Sequence, residues 1–337
     1  MRYTDDDKAL IMLSRETSIK KKMSMFDSVD HPRELYDDLS DADEMIKQMD
    51  GLGVVAITRM SDMYPKALLD IYDPPVVLYC RGNVDLLRDN ALAIVGTRKA
   101  TRYGKDATKC FVQKFVQKDI CIISGLARGI DSVAHRATLE NGGKTIAVVA
   151  TGLDQVYPAE NLELAESIIS KGLMVSEYPL GTGVHAFRFP ERNRIISGLS
   201  NGVLIPEAGL NSGSLITANF AIDQGKELYI IPGSIFASQS AGSNQKLKDL
   251  QGTMVTCPED IVGDDSQVDK EQLTLQLTME QQLILNMLND DEEVHFTTLI
   301  SKSKMSVGEL SALLSEMEIY GLIRKLSGNY YMRSPKL

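Results

Sequence analysis

The sequence is poor in the features that mark secreted, membrane-bound and metal-dependent proteins. Its four cysteines are widely spaced and form no CxxC pair, so we expect reduced, mostly buried thiols rather than disulfides or metal ligands. No apolar run approaches the length of a membrane span, and the first residues, MRYTDDDKAL, do not resemble a signal peptide. These absences predict a cytoplasmic protein with no membrane segment, no bound metal and no cofactor.

The sequence also lacks the usual signatures of nucleotide chemistry. It has no GxGxxG fingerprint, no Walker lysine and no nucleophile with a paired base. A nucleotide-binding or nucleotide-hydrolysing protein stays open as an alternative, because Glu207 is the only acidic residue predicted at the rim beside the small-residue turn at 212–214. There Glu207 would act on a bound nucleotide; its structural alternative is an ion pair with Arg192 or Arg194.

The net charge of −10 is unfavourable for binding nucleic acid, but it is unevenly distributed. Residues 1–50 carry a net charge of −5, residues 51–258 carry +2, and residues 259–337 carry −7. The excess acidic residues therefore lie in the two flanks. The central segment is free to form a local basic pocket.

The central segment alternates short apolar runs with segments of helical length. Continuous runs rich in β-branched residues are typical of parallel strands that are buried on both faces. Their alternation with helices predicts a doubly wound, mostly parallel α/β sheet. The six runs are residues 92–95, 120–123, 145–150, 173–176, 203–205 and 227–231, and a further strand is predicted at residues 76–80.

Three of the turns that follow these strands are rich in small and polar residues. In a doubly wound sheet such turns open at one edge, where the N-terminal amides of the helices favour anions. We predict that phosphate binds there, although a surface arginine without function is the structural alternative for the first turn. The turns contain Gly96, Thr97 and Arg98, then Ser124, Gly125 and Arg128, and finally Ser212, Gly213 and Ser214.

The second of these turns leads into a helix that carries Asp131 and His135. Their spacing of four residues places both side chains on one helix face. A catalytic pair is one interpretation. An aspartate that caps the helix beside a packing histidine is the other.

The densest polar cluster lies in GTGVHAFRFPERNRIISGLS, residues 181–200. Cations that hold a backbone, together with aromatic faces on which bases stack, are typical of proteins that bind single-stranded nucleic acid. In the structural alternative the phenylalanines belong to the core and the arginines pair with Glu191 or Glu207. The cluster contains Arg188, Phe189, Arg192, Asn193 and Arg194.

The flanks suggest a division of the chain into four segments. We predict an N-terminal helical module at residues 1–55, a Rossmann-like domain at 56–260, an acidic linker at 261–274 and a winged helix at 275–337. The winged helix contains two capping boxes, TMEQ and SVGE, which each begin a helix. Its third helix carries glutamates and no Lys or Arg, so we expect the winged helix to contact protein or to be vestigial rather than to bind duplex DNA.

Eight motifs of the central segment, in their order and spacing, resemble the DprA/Smf family (DNA processing protein A) over about residues 60 to 260. The motifs are AIVGTR, SGLARGID with His135, GLDQVYP with Asn161, SEYPLG, FPERNRIISGLS, the strand that ends before Glu207 and Ala208, SGSLITA and IPG. The flanks resemble the N-terminal helical domain and the C-terminal winged helix of relatives.

The resemblance implies a binding protein and not an enzyme. Members of the family have an extended Rossmann-type fold, form homodimers, bind single-stranded DNA and load the RecA recombinase onto incoming DNA in natural transformation. The residue patterns and the resemblance together assign nucleic-acid binding to Gly96, Thr97, Arg98, Ser124, Gly125, Arg128, Arg188, Phe189, Arg192, Asn193, Arg194, Ser212, Gly213 and Ser214.

The sequence departs from the family pattern at two places. Pro206 stands where relatives extend an apolar strand, so we expect a shortened strand there. Before FPERN, the positive charge that relatives supply with lysine would come from His185 or Arg188. Because His185 is largely neutral near pH 7, we expect an affinity for DNA that is sensitive to salt.

Overall fold

The computed structural model describes residues 3–263, 278–288 and 293–334. The chain divides into two compact units, Met1–Gly263 and Asp264–Leu337. The N-terminal helices belong to the first unit. The predicted acidic linker lies, from residue 264 onward, outside the described residues, and the division into four segments stays a prediction.

The described part of the first unit contains a nine-stranded sheet. The six strands of the predicted doubly wound core begin and end within one residue of the predicted runs, because a strand buried on both faces is apolar along its whole length. The strands are β1 (Val54–Thr58), β2 (Val77–Gly82), β3 (Ala91–Ile94), β4 (Cys121–Ser124), β5 (Thr145–Val149), β6 (Leu173–Ser176), β7 (Gly202–Ile205), β8 (Glu227–Ile230) and β9 (Thr253–Met254).

The strands follow the spatial order β1-β2-β6-β5-β4-β3-β7-β8-β9. Pairing is parallel from β6 to β9, whereas β1 and β2 extend the sheet in antiparallel fashion. From β3 the chain continues to β4 on one side, and it reaches β7 on the other side only later. In such sheets the loops after the two central strands separate and leave a crevice at the carboxyl edge. Strand β7 ends directly before Pro206, as expected.

Helices cover both faces of the sheet. The core on one face contains side chains of α4, α8 and α9, and the cores on the other contain side chains of α1, α3, α5, α6 and α7. The helices are α1 (Asp5–Leu13), α2 (Ile19–Asp27), α3 (Ser40–Leu52), α4 (Lys66–Leu69), α5 (Arg102–Gln117), α6 (Ile130–Glu140), α7 (Leu162–Lys171), α8 (Arg188–Gly198), α9 (Ser214–Asp223), α10 (Ala241–Lys248) and α11 (Glu259–Val262).

The N-terminal helices pack directly on the central sheet. Leu10, Ile11 and Leu13 of α1 share one buried cluster with Tyr79 of β2 and Met174 of β6. The hydroxyl groups at the end of α1 and on β2 are also hydrogen-bonded, since Ser14 Oγ and Tyr79 Oη lie 2.7 Å apart. This module is therefore part of the same folded unit as the sheet.

The second unit has the order of elements expected for a winged helix. Its three-stranded sheet has the order β10-β12-β11, and its helices enclose a separate apolar core. Both predicted capping boxes form, at Thr278 and at Ser306. The elements are α12 (Met279–Met287), β10 (Val294–His295), α13 (Phe296–Ser303), α14 (Val307–Ile319), β11 (Ile323–Leu326) and β12 (Tyr330–Arg333).

The described residues contain no helix that is both long enough and apolar enough to cross a membrane. They also contain no cluster of three or more His, Cys, Asp or Glu side chains that could hold a metal ion.

Candidate nucleic-acid interface

A pocket of about 760 Å³ lies at the carboxyl ends of β3 and β7, where the strand order reverses. Its wall is formed by the loop after β3, the first turns of α8 and the loop that leads from β7 into α9. Nine of the fourteen predicted residues line it, namely Gly96, Thr97, Arg98, Phe189, Arg192, Asn193, Ser212, Gly213 and Ser214. The other five, described below, lie outside it.

The loop after β3 is held rigidly and presents two exposed cations, Arg98 and Lys99. The Thr97 amide donates to the carbonyl of Glu207 over 2.8 Å, and the Thr97 hydroxyl donates to Gln239 Oε1 over 2.8 Å. At Gly96 an added Cβ would lie 2.5 Å from Ile130, so a side chain does not fit there. Arg98 is exposed and forms no hydrogen bond or ion pair with a described residue. Its guanidinium group is therefore available to an anion.

An aromatic ring lies between the cations of the pocket. The Cζ atom of Arg98 is 5.6 Å from the centre of the Phe189 ring, and the Cζ atom of Arg192 is 6.0 Å from it. The Tyr157 ring lies 5.6 Å from the same centre, inclined by 59°. This arrangement offers a face for a base and charges for its phosphate.

Tyr157 and Gln239 line the pocket, and neither was among the predicted site residues. Both lie in loops, where no periodicity indicates which side chains face inward. For Tyr157 a signal did exist, because it belongs to the GLDQVYP motif in a loop that follows a predicted strand. For Gln239 the sequence carries no such signal.

Arg192 forms the floor of the pocket. It is 4% exposed, and its Nη1 group donates to the main-chain carbonyls of Gly125, over 2.7 Å, and of Val148. These bonds connect α8 with the ends of β4 and β5. Burial lowers the pKa of Arg192 to about 10, although the neighbouring Asp131 opposes that shift, so the guanidinium stays protonated at neutral pH. Its Nη2 group forms no hydrogen bond with a described residue and packs against Gly125.

The second predicted turn supports Arg192, because the carbonyl of Gly125 accepts from its guanidinium. The Gly125 amide donates to Asp131 Oδ2 over 3.1 Å, and an added Cβ would lie 2.7 Å from Arg192 Nη2. Gly125 is thus required for the packing of an arginine. Ser124 is fully buried, and its hydroxyl donates to the carbonyl of Ile94 over 2.6 Å.

The predicted helix cap at Asp131 was wrong. The N-cap of α6 is Gly129, and the Asp131 carboxylate turns back to accept hydrogen bonds from the preceding loop. Burial raises the pKa of Asp131, and Arg192 opposes this shift. His135 is fully buried with Nδ1 2.7 Å from Thr145 Oγ1, and burial lowers its pKa to about 3. It is a neutral packing residue, not half of a catalytic pair.

The small-residue turn before α9 opens into the pocket. Gly213 is the N-cap of α9 and has no side chain to cap the helix, the Ser212 hydroxyl accepts from the Ser214 amide over 3.4 Å, and an added Cβ at Gly213 would meet nothing within 4 Å. The hydroxyls of Ser212 and Ser214 lie 2.7 Å apart, and Asn193 Nδ2 donates to the carbonyl of Gly213 over 3.4 Å. The amides of Leu215 and Ile216 donate to the carbonyls of Ser212 and Gly213, over 3.1 and 3.2 Å, so the positive end of the helix dipole and the serine hydroxyls are what favour an anion at this point.

Arg194 lies outside the pocket, so it does not share one groove with Arg98 and Arg192. It is 5% exposed, and its Nη2 group lies 2.9 Å from both carboxylate oxygens of Glu177. Lys22 Nζ of α2 lies 3.4 Å from the same carboxylate. Residues two apart on a helix point about 200° away from each other, so Arg192 and Arg194 face opposite sides of α8. Neither Glu191 nor Glu207 is the partner, contrary to the structural alternative.

Arg188 and Arg128 also lie outside the pocket. Arg188 donates to the carbonyl of Gly183 over 2.7 Å and stacks on Tyr178. Arg128 pairs with Glu160 over 2.7 Å. Both side chains therefore have partners within the chain.

Glu207 has a structural role. It is 1% exposed and accepts hydrogen bonds from the amide of Thr101, over 2.8 Å, and from its hydroxyl, over 2.7 Å. These bonds hold the start of α5, and Glu207 does not line the pocket. The interpretation of Glu207 as a residue that acts on a bound nucleotide is therefore wrong, and so is its proposed ion pair with Arg192 or Arg194.

The fold defines a class: Rossmann-like α/β proteins, in which ligands commonly bind in the crevice where the strand order reverses. The family follows from sequence comparison. The family model described as DNA recombination-mediator protein A matches residues 55–265, and the one described as DprA winged helix domain matches residues 268–329. The chain belongs to the DNA recombination-mediator protein A family, DprA/Smf, as its motifs predict, and this membership gives it a role in DNA processing.

Curated relatives agree with this assignment. The DNA processing protein DprA of Streptococcus pneumoniae is 42% identical over 205 residues, which are 61% of this chain and 72% of that protein. The DprA of Bacillus subtilis is 43% identical over 56% of this chain and 64% of its own length. Protein Smf of Escherichia coli is 37% identical over 80% of this chain and 75% of its own.

Two solved structures share the fold. The crystal structure of DprA from S. pneumoniae superposes with a TM-score of 0.66 at 34% identity, covering 78% of this chain and 99% of that one. The structure of DprA from Helicobacter pylori, which concerns the single-stranded DNA binding mode of that protein, gives 0.57 at 31% identity over 62% of this chain and 94% of its own. Both comparisons confirm the predicted α/β architecture.

Proposed function

We propose that this protein binds single-stranded DNA in the pocket and loads the RecA recombinase onto it during natural transformation. One observation carries the proposal: the guanidinium of Arg98, which forms no hydrogen bond or ion pair with a described residue, the ring of Phe189 and the start of α9 at Gly213 line a single pocket. These are a cation for phosphate, a stacking face for a base, and the positive end of a helix dipole for an anion.

The size of the pocket favours an unpaired strand. A volume of about 760 Å³ is that of a small-ligand site, which admits a nucleotide but not a base-paired duplex. A base would stack on Phe189 or Tyr157, and its phosphate would lie between Arg98 and the start of α9. Because the contacts are to ring faces and backbone charge, we propose little preference among bases.

We further propose that the protein acts by binding alone. In the part of the chain that the structure describes, Ser212 and Ser214 have no histidine or carboxylate beside them to act as a base, and Glu207 is buried. Family membership supports the same view, since the matching model describes a recombination mediator.

Binding to oligo-dT is expected to be stronger than binding to a duplex and to depend steeply on salt. With two or three phosphates on Arg98, Lys99 and Arg192, the slope of log affinity against log salt should be about −1.4 to −2.1. A fluorescence anisotropy titration at several salt concentrations measures both properties. Equal affinity for duplex and single strand would contradict the proposal.

Recombinase loading is expected to appear as faster RecA filament growth. The assay uses oligo-dT already covered by a single-strand binding protein and follows RecA ATP hydrolysis, with and without this protein. We expect a shorter lag in its presence. An unchanged lag, together with normal binding to oligo-dT, would contradict the loading of RecA and leave the proposed binding of single-stranded DNA intact.

We also propose that the protein works in the cytoplasm as a homodimer. Around the edge strand β9, four apolar side chains are exposed, at Ile235, Phe236, Leu250 and Met254. Exposed apolar side chains of this size favour association. Sedimentation equilibrium tests the point, and a monomer mass at micromolar concentration would contradict it.

A further inference from the structure

A second concavity of about 440 Å³ adjoins the pocket, and we name it the basic cleft. Its cations are Arg98, Lys99, Lys105, Arg128 and Arg136. Arg98 and Lys99 line the pocket as well, so the two concavities meet at these side chains. A bound nucleic-acid strand that leaves the pocket over Arg98 would therefore enter the basic cleft.

Most of the charge in the basic cleft has no counter-ion. Among its described lining residues Glu160 is the one carboxylate, and it pairs with Arg128 over 2.7 Å. Lys105 and Arg136 are exposed, and neither forms an ion pair with a described residue. Like charges gathered in a concavity repel one another and raise the local concentration of anions.

The walls of the basic cleft are firmly placed. Lys105 lies in the first turn of α5 and Arg136 in the second turn of α6, and both helices pack in one buried cluster. The amide of Ile130 donates to the carbonyl of Thr97 over 3.2 Å, which joins α6 to the loop of Arg98. At Gly129 an added Cβ would lie 2.2 Å from the Thr97 carbonyl oxygen. The cations are therefore carried by rigid elements.

The basic cleft differs from the pocket in one chemical respect. The described residues that line it include no aromatic side chain, whereas Phe189 and Tyr157 line the pocket. It offers charge for phosphates and no face on which a base would stack. Its ligand is therefore a phosphodiester backbone and not a base.

We propose that the basic cleft binds the phosphates of the same DNA strand where that strand leaves the pocket. The inference rests on the proposed function and adds a path to it: a nucleotide is held in the pocket, and the following phosphates lie on Lys105 and Arg136. The affinity for DNA therefore depends on strand length beyond what fills the pocket.

The test compares a double variant, Lys105→Ala with Arg136→Ala, with the wild-type protein on oligo-dT of about 2 to 20 nucleotides. We expect unchanged affinity for the shortest strands, about tenfold weaker binding of the longest, and a salt slope lower by about 1.4 on long strands. The matched control is Arg88→Ala with Lys109→Ala, which removes two exposed cations outside both concavities. It should leave the affinity unchanged at every length.

The possible results separate this inference from the proposed function. If the wild type binds oligo-dT but the double variant loses nothing, or loses the same factor at every length, the cleft does not hold the strand. If inorganic phosphate or thymidine monophosphate competes for the basic cleft as strongly as a long strand, the basic cleft binds free anions, and the proposed path of the DNA strand through it is wrong. If the wild type fails to bind oligo-dT at any length, the proposed function itself fails.

Discussion

Replacement of Arg98 by alanine is expected to weaken binding to oligo-dT by about ten- to a hundredfold, at every strand length. Arg98 forms no hydrogen bond or ion pair with a described residue and lies where the pocket and the basic cleft meet. Hydrogen bonds from a charged group contribute about 1.5 to 3 kcal/mol, and here the alternative acceptor is water alone. Anisotropy titrations with short and long strands measure the loss.

Two further variants sharpen this prediction. Arg98→Lys should recover part of the affinity, because lysine keeps the charge but lacks the planar fork of the guanidinium. Arg88→Ala removes an exposed arginine from the segment before β3, at the opposite end of that strand, and should bind like the wild type. If Arg98→Ala and Arg88→Ala behave alike, the pocket is not the DNA site. The thermal stability of Arg98→Ala should be close to that of the wild type, since the substitution removes only the contact of an exposed side chain with the Phe189 ring.

Replacement of Arg194 by methionine is expected to lower the free energy of unfolding by about 3 to 5 kcal/mol, because it leaves the Glu177 carboxylate buried with only Lys22 beside it. For the first unit this corresponds to a fall in Tm of about 6 to 20 °C. Lys22→Met should cost less, since the shorter contacts of Arg194 remain. Thermal and urea unfolding measure the series.

The stability that the Glu177 carboxylate contributes should depend on pH with a definite sign. Burial alone would raise the pKa of Glu177, but Arg194 and Lys22 outweigh it and lower the pKa below the ordinary value. A lowered carboxylate pKa contributes stability above the unfolded pKa and loses it as the pH falls through the folded pKa. The penalty of Arg194→Met should therefore be largest near neutral pH and shrink in acid.

A triple variant provides the control for Arg194. With Lys22→Met, Glu177→Leu and Arg194→Met together, no charge remains buried at this point, and most of the lost stability should return. If Arg194→Met unfolds at the wild-type temperature, the cluster is not structurally important. If Arg194→Met remains folded but fails to bind DNA, Arg194 contacts the strand after all.

The sequence is informative where burial or chain direction constrains the residue, and this explains which predictions succeed. The β4 and β5 strands are continuous apolar runs, so their bounds are predicted closely. Arg98 and Ser212 lie in the loops that follow two neighbouring strands of one sheet, β3 and β7, and the carboxyl ends of these parallel strands meet at one edge. Their common location therefore follows from topology.

Helical phase and loop geometry explain the failures. Arg192 and Arg194 are chemically identical and two positions apart, and only the orientation of α8 decides which reaches the pocket. Glu207 is close in sequence to the small-residue turn at 212–214, but its carboxylate turns toward Thr101. Gln239 approaches Thr97 from a loop 142 residues away, and no local pattern indicates such a contact.

The ion cluster of Lys22, Glu177 and Arg194 joins a helix of the N-terminal module to the helix whose other side forms the floor of the pocket. Truncation of the N-terminal module should therefore also disturb the pocket. Removal of residues 1–50 takes away Lys22 and uncovers apolar residues of β2 and β6, so DNA binding would decline even if those residues never touch a partner. The first fifty residues stabilise the fold around the pocket. Point substitutions on their outer surface, rather than truncation, are therefore the better way to look for proteins that they recruit.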